Sequence, residues 1–204
     1  MPMLHDNDAL IKMLAAKNSK FKVQQAISER AKVHLNPINL DLICVDMPIP
    51  MFIANAFAEL NNRPCQVGIF RMQPSAELQQ ILNKTLDSTY YVDPKPLETD
   101  QLCALIKYFY RRLTQSLISS EIATYLRAHP TDINLIRMDV KQIKPVYKEN
   151  LKFLSKRLKE LTLIQGYRMD AKNFGVCFAP NLFEVYQFGD ERIVQTMIEN
   201  ADAL

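Results

Sequence analysis

Glycine is scarce in this chain: four residues in 204, about 2% where about 7% is usual. Neither Gly-rich phosphate loop, G-x-x-x-x-G-K-[ST] or G-x-G-x-x-G, can be assembled from Gly68, Gly166, Gly175 and Gly189. If the protein handles nucleotides, it does so on another molecule's loop. Tryptophan is absent. Cysteine is sparse: Cys44, Cys65, Cys103 and Cys177 form no C-x-x-C pair and have no histidine at ligand spacing. They read as free thiols of a reducing cytosol. His5, His34 and His129 share no cluster of carboxylates or cysteines, so neither a metal site nor a cofactor is expected. No run approaches about 18 apolar residues, and the N-terminus shows no signal-peptide pattern. A cytoplasmic protein is therefore expected. A formal charge of +3 is too mild to suggest nucleic acid as a partner.

What the chain does have is a helical pattern. Hydrophobic residues make up 48% and charged residues 23%, enough to bury a sizeable core. Few residues that tolerate positive φ are needed when few tight turns are made. Residues 6–33 read as one or two amphipathic helices carrying Leu10, Ile11, Leu14, Phe21, Val23 and Ile27. Pro48 and Pro50 introduce a helix with Phe52, Ile53, Ala56, Phe57 and Leu60 on one face. An apolar loop, Val67 to Phe70, leads to Arg71, and Pro74 opens the next helix. Thr99 is the expected N-cap of a helix with Leu102, Leu105, Ile106, Phe109 and Leu113 inward. Further helices are expected at about 119–128, 133–143 and 147–164, the last stopped by Gly166 at C′. Asp170 caps a helix to about Phe178 that Pro180 breaks, and Asp190 starts a final one. No segment alternates with period two. The expected fold class is all-α.

Four constellations could carry chemistry. Val67, Ile69 and Phe70 would pin a loop to the core and set Arg71 on a rigid base; on position alone an ordinary surface arginine is the plainer reading. Lys107 and Arg111 fall about 140° and 180° from the apolar direction of their helix and are i, i+4 neighbours. Such a pair is usually a solvated face, and otherwise meets an acidic partner. Asn181 sits after Pro180 among large apolar residues, where it can cap broken backbone or present a fixed amide. Lys148, Lys152 and Lys156 form a row that acidic lipid or nucleic acid could use. Glu149 and Glu160 interrupt it, and a solvated face is again the plainer reading.

Taken in order, these blocks resemble the RhoGAP domain, the module that activates GTP hydrolysis by Rho-family small GTPases. Pro48-Ile49-Pro50 and the helix after it look like that family's first helix. Gly68-Ile69-Phe70-Arg71 matches its G-I-F-R signature, and Leu105 to Arg111 its L-L-K-x-F-L-R helix. Leu151 to Leu161 resembles L-x-x-L-x-x-H-L-x-x-V, and Asn173 to Leu182 matches N-L-A-V-V-F-G-P-N-L. Any one block is weak; the four signature matches that follow the first helix, taken in order, are specific.

The resemblance implies a helical bundle of about eight to nine helices over residues 46–204, preceded by a helical extension at 1–45. It implies that Arg71 is a catalytic finger entering the nucleotide site of a Rho-family GTPase in trans. Lys107, Arg111 and Asn181 would line the docking surface. Mg²⁺ and GTP would come with the partner, and the host cytosol would be the setting if a bacterium delivers the protein. The chain departs from the family pattern at several places. Met72-Gln73-Pro74 replaces x-S-G after the arginine, and Leu113 to Leu117 loses both prolines of L-P-E-P-L. Tyr167-Arg168-Met169 replaces N-K-M, and Ala179 stands for the glycine before Pro180. A second expectation therefore stands beside the first: a weak or inactive module that binds a GTPase or other protein as a scaffold.

Overall fold

The computed structural model describes residues 38–73, 75–89 and 91–204. The expected helices of 6–33 and the role of Pro74 as helix opener lie outside the described residues. Nine α-helices form among those described: α1 (Leu40–Ile43), α2 (Met51–Asn61), α3 (Ala76–Thr89), α4 (Thr99–Arg111), α5 (Ser120–Ala128), α6 (Ile133–Val140), α7 (Pro145–Thr162), α8 (Ala171–Leu182) and α9 (Asp190–Glu199). No strand forms among the described residues. Isolated bridges join Ile38 with Leu113 and Ile118 with Phe183. The all-α expectation holds.

Local chemistry sets most helix ends. Ser119, Asp132 and Asp170 accept backbone N–H groups at the starts of α5, α6 and α8, satisfying donors that a helix leaves orphaned. At α4 the cap is Glu98 rather than Thr99: the Glu98 N–H donates to Gln101 Oε1 at 3.0 Å, closing a capping box. Pro145 occupies the first turn of α7, where its missing N–H costs nothing. Gly166 is not a C′ residue. It lies in a 3-10 turn, Gln165–Tyr167, where a Cβ would sit 2.6 Å from the Cys65 Cβ, so it serves a close crossing of two chain segments.

The expected inward faces are buried. Phe52 and Phe109 join α2 to α4 edge-on at 5.3 Å between ring centroids, a favoured aromatic geometry. Phe57 meets Phe153 of α7 at 5.8 Å. Leu151, Leu154, Leu158 and Leu161 line the inner side of α7. Upstream of α2, Ile38, Leu40 and Ile43 are also buried, and Ile38 exchanges backbone hydrogen bonds with Arg112 and Thr114. Asp190 is buried and takes two hydrogen bonds from Arg127, each at 2.8 Å, locking α5 to the start of α9.

The largest departure from the sequence expectation is α8. It does not end at Phe178 but runs through Pro180 to Leu182. Proline there removes one donor and crowds the carbonyl four residues back, which belongs to Val176. Val176 is exposed, so this part of the helix runs where water can reach it. One residue further on, Asn181 Nδ2 donates to the Cys177 carbonyl at 2.9 Å, adding a side-chain bond where the ladder is weakened.

Candidate functional site

The loop before α3 is held in a conformation that few residues adopt. Gly68 and Phe70 both have positive φ, 75° and 67°. Glycine takes this freely, whereas for a bulky residue it costs on the order of 1–3 kcal/mol and needs its surroundings to enforce it. The Phe70 ring supplies that enforcement. It is buried, with centroids 5.0 Å from Phe178, 5.9 Å from Phe174 and 6.5 Å from Phe57. Ile69 is buried beside it, but Val67 is exposed and does not pin the loop as expected. The Gly68 N–H donates to the Tyr167 carbonyl at 2.8 Å, and the Arg71 N–H closes a turn onto the Gly68 carbonyl at 3.2 Å. A Cβ on Gly68 would come within 3.2 Å of Arg71 Cδ, so the glycine leaves room for the arginine stem. Arg71 itself is exposed.

Lys107 corrects the helical-wheel reading. It is not on a solvated face beside Arg111; it is 3% exposed. Its ammonium donates to the Phe70 carbonyl at 2.6 Å and the Met72 carbonyl at 2.7 Å. The loop folds over the polar side of α4 and buries the lysine, and desolvation holds its pKa below the usual lysine range. Lys107 thus clasps the residues on both sides of Arg71. Arg111, one turn later, remains exposed.

Because α8 continues past Pro180, Asn173, Cys177 and Pro180 fall on one stripe at i, i+4 and i+7. That stripe, with Asn181, faces the loop. A cavity of about 410 Å³ lies between them, and Arg71, Lys107, Arg111 and Asn181 all line it. The four sequence candidates are brought together. Three of the lining residues are cationic and none is a carboxylate, so the cavity suits negative charge on whatever enters it. Burial raises the Cys177 thiol, while Lys107 and Arg71 nearby pull it down.

The sequence reading passed over Asn173. Its Oδ1 accepts from Arg71 Nη2 at 3.1 Å, while its Nδ2 and backbone N–H both donate to Asp170 Oδ1, at 2.8 and 2.7 Å. The signal that could have found it is its place at the head of the last family signature, one turn before Cys177 on the helix that Asp170 starts. The lysine row lies elsewhere. Lys152 and Lys156 border a second cavity of about 440 Å³, but Glu149 and Asp202 border it too, and Lys159 pairs with Asp202 at 2.6 Å.

The positions that depart from the family pattern have structural work to do. Tyr167 is buried; its hydroxyl donates to the Leu60 carbonyl at 3.1 Å and its carbonyl receives Gly68. Ala179 is buried in the core, and so are Leu113 and Leu117, the leucines kept at either end of the segment that loses its prolines.

Comparison with known proteins decides the family. The RhoGAP domain model matches residues 50–187, about two thirds of the chain. The chain belongs to the RhoGAP family. Solved RhoGAP structures share its fold. The crystal structure of human Rho GTPase activating protein 15 superposes with a TM-score of 0.69 at 16% identity, covering 87% of this chain and 95% of that one. The BH domain of GRAF, the GTPase regulator associated with focal adhesion kinase, gives a TM-score of 0.63 at 17% identity, covering 80% and 95%. Among curated proteins, none matches the sequence. As for membrane insertion, no helix among the described residues is long and apolar enough to cross a bilayer.

Proposed function

We propose that this RhoGAP-family chain accelerates GTP hydrolysis by a Rho-family GTPase, with Arg71 reaching in trans into the partner's nucleotide site. The observation that carries this reading is the Arg71 loop: an exposed guanidinium on a strained loop that is anchored by the buried Phe70 and clasped by Lys107, at the rim of a cationic cavity. Strain of this kind persists where a site over-determines it. Phosphoryl transfer is accelerated mainly by positioning and by stabilising charge spread over the transferring oxygens. A guanidinium stays charged and offers several planar donors, which an ammonium does not reproduce.

In this account Arg71 supplies the charge, and Lys107 holds the loop by its carbonyls rather than meeting the partner. Arg111 and Asn181 edge the docking surface. Mg²⁺ and GTP belong to the partner, and this chain contributes no cofactor.

The test is phosphate release from GTP-loaded Rho, Rac and Cdc42 proteins, with binding measured in parallel. Acceleration on at least one of them is expected. Binding without acceleration on the whole panel would instead favour a scaffold that has kept the fold and lost the catalysis.

A further inference from the structure

Arg71 carries five N–H donors on a long, flexible stem, yet its head is held. One donor, on Nη2, reaches Asn173 Oδ1 at 3.1 Å. Asn173 has no freedom to turn that oxygen away. Its Nδ2 is fixed on Asp170 Oδ1 at 2.8 Å, and its own backbone N–H meets the same oxygen at 2.7 Å. Flipping the amide would bring two acceptors, Asn173 Oδ1 and the Asp170 carboxylate, face to face. Asp170 is in turn fixed as the N-cap of α8, with φ −95° and ψ 176°. A rigid helix start is therefore connected to the guanidinium through one amide whose orientation is dictated from behind.

We propose that Asn173, oriented by Asp170, is a positioning residue that pre-aims the Arg71 guanidinium before a partner arrives. This rests on the reading of Arg71 as the finger. The contact occupies one edge of the guanidinium and its other donors meet no acceptor among the described residues, so the arginine need not let go of Asn173 to meet phosphate oxygens. Holding a flexible side chain in its working geometry removes part of the ordering cost from the catalysed step. Asn173 itself lines the cavity, but Lys107, Arg111 and Asn181 are left as they are, so the effect should appear in the rate at saturation far more than in affinity.

Asn173→Ala and Asn173→Leu test the idea. The first trims the side chain at a position where alanine favours helix; the second keeps its volume and removes the acceptor. Both leave the Asp170 cap in place. Two readouts are needed: single-turnover GTP hydrolysis across a range of activator concentrations, and side-chain ¹⁵N relaxation of Arg71 in the protein alone. The expected result is a saturating rate lowered about 10-fold, half-saturation within about twofold of wild type, and a more mobile Arg71 side chain in both variants. Unchanged Arg71 mobility with an unchanged rate overturns the inference while leaving the finger reading intact. A faster rate in the variants also overturns it, because Asn173 would then be a latch holding the arginine back. If wild type accelerates no GTPase on the panel, the finger reading fails and this inference fails with it.

Discussion

At the scale of single residues, Lys107 is the most consequential position after Arg71. Burying an ammonium is costly, and here the cost is offset by two charge-assisted bonds to the Phe70 and Met72 carbonyls. Hydrogen bonds of this type contribute about 1.5–3 kcal/mol each. Lys107→Met keeps the apolar stem and orphans both carbonyls. It should leave α4 and the core folded while loosening residues 68–73. Hydrogen exchange should show faster opening at Gly68 and Arg71, and the saturating GTP hydrolysis rate should fall at least about 10-fold. A variant with wild-type exchange and wild-type rate would remove Lys107 from the account. Its burial was not legible in the sequence for a physical reason. Helical periodicity reports which face meets the core. It says nothing of a loop 37 residues away in sequence that folds back over the polar face.

Among the elements, α8 organises the site and its packing is unusually close. A Cβ at Gly175 would lie 2.5 Å from the Glu191 carbonyl oxygen and 3.4 Å from the Gln195 nitrogen, both backbone atoms of α9. Neither can swing aside as a side chain could. Gly175→Ala should therefore cost about 1–3 kcal/mol through overpacking, and a thermal melt should fall by about 2–4 °C for each kcal/mol. An unchanged melting temperature would show that α8 and α9 separate more easily than their spacing suggests. The family signature has alanine at this position, so this chain brings the two helices together in its own way. Most helices were legible beforehand because amphipathic spacing and caps such as Asp170 act locally. The exception was the end of α8, where proline was read as a breaker. The exposed position of Val176 and the Asn181 side-chain bond accommodate Pro180 within the helix, and that continuation adds Pro180 to the stripe of Asn173 and Cys177. The four site candidates were readable through family signatures. Their convergence on one cavity depends on the meeting of α4, α8 and the loop before α3, and no local pattern encodes that.

At the scale of the whole molecule, the core holds ionisable groups that stay neutral. Burial pushes the Cys44 and Cys103 thiols from about 9 up to about 12, and the buried Tyr110 phenol is also raised. Above pH 9 the unfolded chain releases these protons while the native state keeps them. The native state then binds more protons, so stability falls as pH rises. Urea unfolding midpoints should decline from pH 9 towards about 12, and Cys103→Ala should flatten part of that decline. A midpoint independent of pH over this window would mean that the thiols are wetter than their burial indicates.

The same core also fixes the backbone under Arg71, through Phe70 packed between Phe57, Phe174 and Phe178. On the function proposed above, this scaffold serves to deliver one guanidinium. Single-turnover GTP hydrolysis by a responsive Rho-family GTPase, measured with wild type, Arg71→Ala and Arg71→Lys, addresses it most directly. A loss of about 10³–10⁵-fold in acceleration is expected for Arg71→Ala, with little recovery on substituting lysine and partner binding retained by both variants. Equal rates for wild type and Arg71→Ala would contradict it.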